Sequence, residues 1–388
     1  MSIESSEKGP KVVISGYYGF DNCGDEAVLL AIVHCLKSLS PNVRVVVLSG
    51  NPTATREAYG VDAVNRWNPF SVALALLNSR LLISGGGSLL QDVTSSKSVL
   101  YYLAVIKLAV FLGKKVMIYC QGIGPLSGEK NRAGVAKTLN RCHVITVRDG
   151  SSAELLGELG VMRDIQVTCD PVMALSREDA NDDSINAVLQ ELRIYGRTDI
   201  NSSSIKRKPL LFASARCWKE NQHFAPVAQI LDSQAAKGWD VLLVPAQYPG
   251  DMEALDAVSE LMTERPYQLN QRLTARQFLA LAACADMVFS MRLHGLICAM
   301  AVGTPMLGVS YDPKVDAFME QAGAEKYCLP YDSLDCELAD TLLEELDAPP
   351  DQLLQERELR RSAMYKTAWE TAQKAAELLG AAHKHPGS

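Results

Sequence analysis

Short runs of β-branched residues alternate with segments of helical period along almost the whole chain, and the alternation restarts once near its middle. Strands that follow one another through helices lie parallel, because only a long crossover can return the chain to the same end of a sheet. The first series predicts strands at 12–15, 44–48, 81–84, 116–120, 144–147 and 165–168. Helices lie between them, as at 26–39, where Val28, Leu29, Ile32, Val33 and Leu36 share one face. From about Ser176 to Lys208 the character changes: Glu178, Asp179, Asp182 and Asp183 and the run Asn201-Ser202-Ser203-Ser204 surround one modest helix. Strands are then predicted at 210–214, 241–245, 287–290 and 306–309, before a long Ala-, Glu-, Leu- and Lys-rich helix at 352–379. The fold class is α/β: two Rossmann-like doubly wound domains, 1–175 and 209–388, joined by 176–208 and facing a cleft. A chain of 388 residues is long enough for two cores, and no short repeat points to a solenoid.

Charge narrows the partners. A net charge of −7 argues against nucleic acid, which needs a basic surplus. An anionic small ligand would instead need a local cluster of cations. Ten cysteines are scattered without a C-x-x-C pair, mostly inside apolar runs. They read as reduced, space-filling thiols, and with no signal peptide legible at the N-terminus a cytoplasmic protein is expected. The longest apolar stretch, 99–113, contains Lys107 and is too short to span a bilayer. It reads as a buried helix; the competing reading is a surface that touches the inner face of a membrane.

Five segments sit where parallel strands end, the edge at which such sheets bind ligands. Gly16-Tyr-Tyr-Gly19 leads into Asp21, Asn22, Gly24, Asp25 and Glu26. It is not a phosphate loop, because two carboxylates stand where a P-loop has its lysine. These four polar residues either cap the helix, or one of them binds sugar hydroxyls or acts as a base. Ser84-Gly85-Gly86-Gly87-Ser88 lets backbone approach a ligand, and Gln121-Gly122-Ile123-Gly124-Pro125 is a weaker version. Arg148 ends the strand at 144–147 and either faces the crevice or pairs with Asp149. Arg292-Leu293-His294-Gly295 joins a fixed guanidinium fork, a group that titrates near neutrality and a glycine opening a helix. Ser310-Tyr311-Asp312-Pro313-Lys314 follows the next strand, so Lys314 is either a second cation there or a solvated lysine. His34, His143 and His223 lack partners at metal-ligand spacing, so no zinc site is read. The tail His383-Lys384-His385 reads as a solvated end.

Taken in order, these motifs resemble the polysaccharide pyruvyltransferase family through both domains, over nearly 300 residues. The resemblance implies a GT-B-like fold, phosphoenolpyruvate as co-substrate and no further cofactor. It matches Arg148, His294 and Lys314 to the family's donor-binding and catalytic positions, with Arg292, Gly295 and Ser310 beside them. Asp21, Asn22, Asp25, Glu26, Gly86, Gly87 and Gln121 would then face the acceptor. For members that modify the secondary cell-wall polymer of bacteria, that acceptor is a β-linked N-acetylmannosamine on a lipid-linked precursor, ketalised across O4 and O6. Two other classes compete: a nucleotide-sugar glycosyltransferase or epimerase of the same fold, and a wall-polymer binding protein without catalysis.

Overall fold

The computed structural model describes residues 9–92, 96–192, 194, 208–218 and 223–380. The expected serine run 201–204 and the tail at 383–385 lie outside them.

The first sheet has seven strands: β1 (Lys11–Ser15), β2 (Arg44–Ser49), β3 (Asp62–Asn65), β4 (Leu81–Gly85), β5 (Lys115–Gln121), β6 (Val144–Val147) and β7 (Ile165–Val167). All pair in parallel, in the order β3-β2-β1-β4-β5-β6-β7. Strands buried on both faces need apolar residues at successive positions rather than at alternate ones. β1 and β4 meet this demand, and Val12, Val13, Ile14, Leu81, Leu82 and Ile83 are fully buried.

The second sheet has six strands: β8 (Leu210–Ser214), β9 (Asp240–Leu243), β10 (Tyr267–Gln268), β11 (Met287–Ser290), β12 (Met306–Ser310) and β13 (Cys328–Pro330). These too are parallel, in the order β10-β9-β8-β11-β12-β13. Both sheets are doubly wound. The strand order reverses between β1 and β4 in one and between β8 and β11 in the other, and a crevice opens beyond the carboxyl ends at such a reversal.

The chain divides into two compact units. One holds the chain up to Phe20, Val28–Ala174 and the chain from Lys366; the other holds Asp21–Ala27 and Leu175–Tyr365. Two segments therefore pack with the unit that is not their neighbour in sequence. The first is the turn that opens the helix Cys23–Leu39, which carries Asp25 and Glu26 in its first turn. The second is the end of the long helix Asp351–Leu379, whose Trp369 Nε1 donates to the Ala174 carbonyl at 3.1 Å.

Candidate functional site

In the C-terminal unit, β8 and β11 are neighbours at the strand reversal, and an arginine stands two residues beyond the end of each. Arg292 follows β11 and is the N-cap of the helix Leu293–Val302, with extended backbone angles and no side-chain cap. The first N–H groups of that helix are thus left to other acceptors. The Arg292 guanidinium is buried against the fully buried Asp251, which accepts from Nε at 3.1 Å and also pairs with the terminal nitrogen. Asp251 further accepts from the Ala246 and Gln247 N–H groups at 3.0 and 2.9 Å. One carboxylate therefore anchors both the arginine and the loop after β9.

Arg216 lies two residues beyond β8. It donates to the Tyr311 hydroxyl at 3.1 Å, and its guanidinium is 5.3 Å from the Trp218 and Tyr311 ring centres. Among the described residues no carboxylate lies within ion-pair distance of it. Burial, and next the positive charge of Arg216, bring the Arg292 pKa down to about 10. Two neighbouring guanidinium groups, of which only Arg292 has a carboxylate at ion-pair distance among the described residues, concentrate positive charge at this strand edge in a chain whose net charge is −7. That arrangement favours a bound anion.

The opening of the first helix belongs to the same unit. Asn22 bridges to Gln247, and the Cys23 N–H donates to the Ala246 carbonyl at 2.8 Å. Gly24 lies so close to His294 that a Cβ there would collide with the imidazole Nδ1. This contact brings the segment carrying Asp25 and Glu26 beside His294. Asp21 ion-pairs with Arg272 at 2.6 Å, and Asn22 Oδ1 accepts from the Gly24 N–H at 3.0 Å. Those partners explain Asp21 and Asn22 as turn residues without an acceptor. Glu26 is buried and Asp25 half-buried. The Cys23 thiol is pushed up to about 12, first by burial and next by the Glu26 charge, so it stays protonated and donates to the Leu273 carbonyl at 3.4 Å.

The loop after β12 departs from expectation. The Ser310 hydroxyl is engaged by Asp316 Oδ2 at 2.6 Å, while its neighbour Tyr311 meets Arg216. Adjacent residues leave a strand on opposite sides, so only one of the two can join that group. Lys314 sits in the first turn of Pro313–Gln321, where Asp312 accepts from its N–H at 3.0 Å; its Nζ is 3.9 Å from Asp312 Oδ2. Gly295 is buried, and a Cβ there would strike the Ser290 hydroxyl.

The N-terminal unit holds the remaining expected residues. Arg148 is buried at the end of β6 with Ser88 Oγ at 3.1 Å, Asp149 at 3.4 Å and Asp170 at 3.7 Å. Its charge is therefore offset twice. Burial alone would raise Asp149, but hydrogen bonds from Ser152 and the Arg148 charge hold it below the usual carboxylate range. The glycine run after β4 serves packing: the buried Tyr18 hydroxyl donates to the Gly85 carbonyl at 2.7 Å, across the strand reversal. Gly86 and Gly87 both take left-handed angles, with φ of 81° and 60°, and a Cβ on Gly86 would strike Val28. Gln121 is fully buried and donates to Ser84 Oγ at 2.9 Å.

Sequence reading missed Arg216, Tyr311, Trp218 and Asp251. Arg216 was findable, because it stands just past the strand predicted at 210–214, where ligand contacts gather. Among the described residues no group of three or more His, Cys, Asp and Glu side chains could hold a metal ion.

A family model described as polysaccharide pyruvyl transferase matches residues 22–313. No curated protein sequence matches the chain. Among solved structures, Anabaena Alr3699/HepE in complex with UDP-glucose is 14% identical with a TM-score of 0.58, covering 96% of this chain and 100% of that one. A glycosyltransferase from Rickettsia africae is 9% identical with a TM-score of 0.62, covering 96% and 98%. The UDP-GlcNAc 2-epimerase of Neisseria meningitidis bound to UDP-GlcNAc is 10% identical with a TM-score of 0.59, covering 95% and 99%. At such identities the likeness concerns the fold, which is that of the GT-B-like glycosyltransferases and epimerases.

Proposed function

The chain belongs to the polysaccharide pyruvyl transferase family, and from that premise we propose that it moves the pyruvyl group of phosphoenolpyruvate onto a sugar of a lipid-linked cell-wall glycan precursor. The acceptor we assign is a β-linked N-acetylmannosamine, ketalised across O4 and O6, as in the bacterial enzymes that modify the secondary cell-wall polymer. The observation that carries the donor assignment is the pair of neighbouring arginines beyond the ends of β8 and β11, with Arg292 anchored on Asp251 and Arg216 on the Tyr311 hydroxyl. Phosphoenolpyruvate carries a phosphate and a carboxylate on three carbons, and two guanidinium forks suit two such groups. The uncapped N-terminus of Leu293–Val302 adds backbone donors.

His294 is the general acid in this reading. It protonates the donor's methylene carbon, C2 becomes oxocarbenium-like, and a sugar hydroxyl attacks C2, its proton restoring the one that His294 gave up. The second hydroxyl then displaces phosphate from the same carbon, closing the ketal and sending its proton out with the leaving group. Arg216 and Arg292 hold the charge that moves onto phosphate. Asp25 and Glu26, carried beside His294 by Gly24, are assigned to the acceptor hydroxyls. Lys314 stays as a third donor contact, and Arg148 stays because it matches the family's donor position. Gly86, Gly87 and Gln121 stay on the acceptor side as the family resemblance implies; the buried Gln121 Oε1 has no hydrogen-bond partner among the described residues.

The test is phosphate release from phosphoenolpyruvate with and without a synthetic lipid-linked N-acetylmannosamine disaccharide. Release that depends on the acceptor supports the reading. Protection from heating by UDP, with no phosphate released, points instead to a nucleotide-sugar enzyme. Acceptor binding without turnover points to a wall-polymer binding protein.

A further inference from the structure

One face of the N-terminal unit is apolar, exposed and set in a cationic stretch. The helix Pro69–Leu77 buries Val72, Ala75 and Leu76 and turns Phe70, Leu74 and Leu77 outward, four and three residues apart. The helix Ser96–Phe111 exposes Leu100 and Phe111, eleven residues and three turns apart, hence on one side. Exposed Ala104 and Lys107 lie between them on that side. The two helices run side by side in the same direction. At one end the Tyr101 ring is 5.5 Å from that of Trp67, and at the other the Lys114 Nζ donates to the Leu77 carbonyl at 2.8 Å. The two exposed rows are therefore neighbours.

Trp67 joins them, 63% exposed at the start of the first helix. The buried Arg66 guanidinium holds its ring from behind, 5.0 Å from the ring centre and 4.3 Å from that of Tyr101. Phe70 and Phe111 are 85% and 82% exposed. Single exposed apolar side chains are ordinary; a contiguous set of this size marks a contact surface.

Charge selects the partner. Residues 65–115 hold six basic residues, of which Arg80, Lys97 and Lys107 are exposed and Arg66 is buried, and one acidic residue, Asp92, although the whole chain has a net charge of −7. A second copy of the chain would bring the same positive charge against itself. An anionic bilayer satisfies both features at once, the rings entering the acyl boundary and the lysines meeting headgroups. No described helix is long and apolar enough to cross a membrane. We propose that the face formed by Trp67, Phe70, Leu74, Leu77, Leu100 and Phe111 docks on an anionic lipid surface, lying on it rather than spanning it. The inference is independent of the pyruvyl chemistry, since it concerns binding alone.

The test is co-sedimentation of the full chain with vesicles of phosphatidylcholine, with or without about one third phosphatidylglycerol. The protein should pellet with the anionic vesicles at low salt, and less with neutral ones or at high salt. The double variant Phe70→Ser, Phe111→Ser should bind at least roughly tenfold more weakly with an unchanged melting temperature. Lys107→Glu should cost about fivefold or more. No binding to anionic vesicles overturns the proposal, as does binding that both variants retain. A wild-type dimer that the double serine variant converts to monomer overturns it too, and makes the face a self-interface.

Discussion

Asp251 holds Arg292: the fully buried carboxylate accepts from the guanidinium Nε at 3.1 Å while also accepting from the backbone N–H groups of Ala246 and Gln247. The arginine that the sequence offers as a fixed fork for the donor is thus itself anchored on a buried carboxylate, and the second guanidinium beside it is Arg216. Removing one member of a buried pair leaves the other uncompensated, at about 3–5 kcal/mol. Asp251→Ala should therefore lower the melting temperature strongly and loosen the loop at 246–247. Unchanged thermal unfolding would show that the pair is not structural.

Arg216 is expected to act on binding more than on folding. Its guanidinium is held by Tyr311 and the Trp218 ring rather than by a carboxylate among the described residues. Arg216→Ala should weaken phosphoenolpyruvate binding by at least roughly tenfold, since a charge-assisted contact is worth about 1.5–3 kcal/mol. Tyr311→Phe, which removes only an acceptor for Arg216, should cost less. Calorimetry giving wild-type donor affinity for Arg216→Ala takes that residue out of the site.

Gly24 and His294 should fail together. A side chain at Gly24 meets the imidazole, so Gly24→Ala should displace His294 at a stability cost of roughly 1–3 kcal/mol. Turnover should fall with donor affinity largely kept. His294→Gln should lower turnover by about 10²–10⁴ with the fold intact. If His294→Gln keeps near wild-type turnover across pH, the general-acid assignment is wrong.

The cysteine beside this cluster should be inert. Burial first, then the Glu26 charge, raise the Cys23 thiol from 9.0 to about 12. Iodoacetamide at neutral pH should leave Cys23 unmodified and activity unchanged, and peptide mapping reads this directly. The folded-state pKa is raised, so the associated stability is complete below pH 9 and declines as pH rises toward about 12, because the unfolded thiol loses its proton first. Cys120 and Cys142, raised to about 12 by burial, act in the same sense. Urea unfolding between pH 8 and 11 should show this loss. A Cys23→Ser variant with an undiminished alkaline decline would assign it to the other thiols.

The central strands were legible in sequence because burial on both faces demands consecutive apolar residues, as in β1, β4, β8 and β11. The three strands that escaped reading, β3, β10 and β13, are all sheet edges of two to four residues. With one neighbour and one covered face, such a strand carries little pattern. The site was legible where a residue type and a strand end coincide, as at Arg292 and His294. Asp251 was not legible. It stands at the start of an ordinary helix, Met252–Leu261, and only the fold brings it to Arg292, 41 positions along the chain. Nor did sequence foresee that Asp21–Ala27 packs with the C-terminal unit, which depends on contacts between segments far apart in the chain.

The reaction class is tested most directly by following two atoms of the donor. Protonation at the methylene carbon with loss of phosphate from C2 requires the bridging oxygen to leave with phosphate. It also requires each turnover in heavy water to place one solvent deuteron in the product methyl group. A phosphoryl transferase, which breaks its bond at phosphorus, leaves the bridging oxygen on the three-carbon product and so fails the first requirement. Phosphoenolpyruvate carrying heavy oxygen in the bridge, turned over in heavy water with the acceptor and read by mass spectrometry, should give labelled phosphate and a singly deuterated methyl group. Heavy oxygen retained in the sugar product, or a methyl group free of deuterium, would contradict the mechanism assigned to His294 and its arginine neighbours.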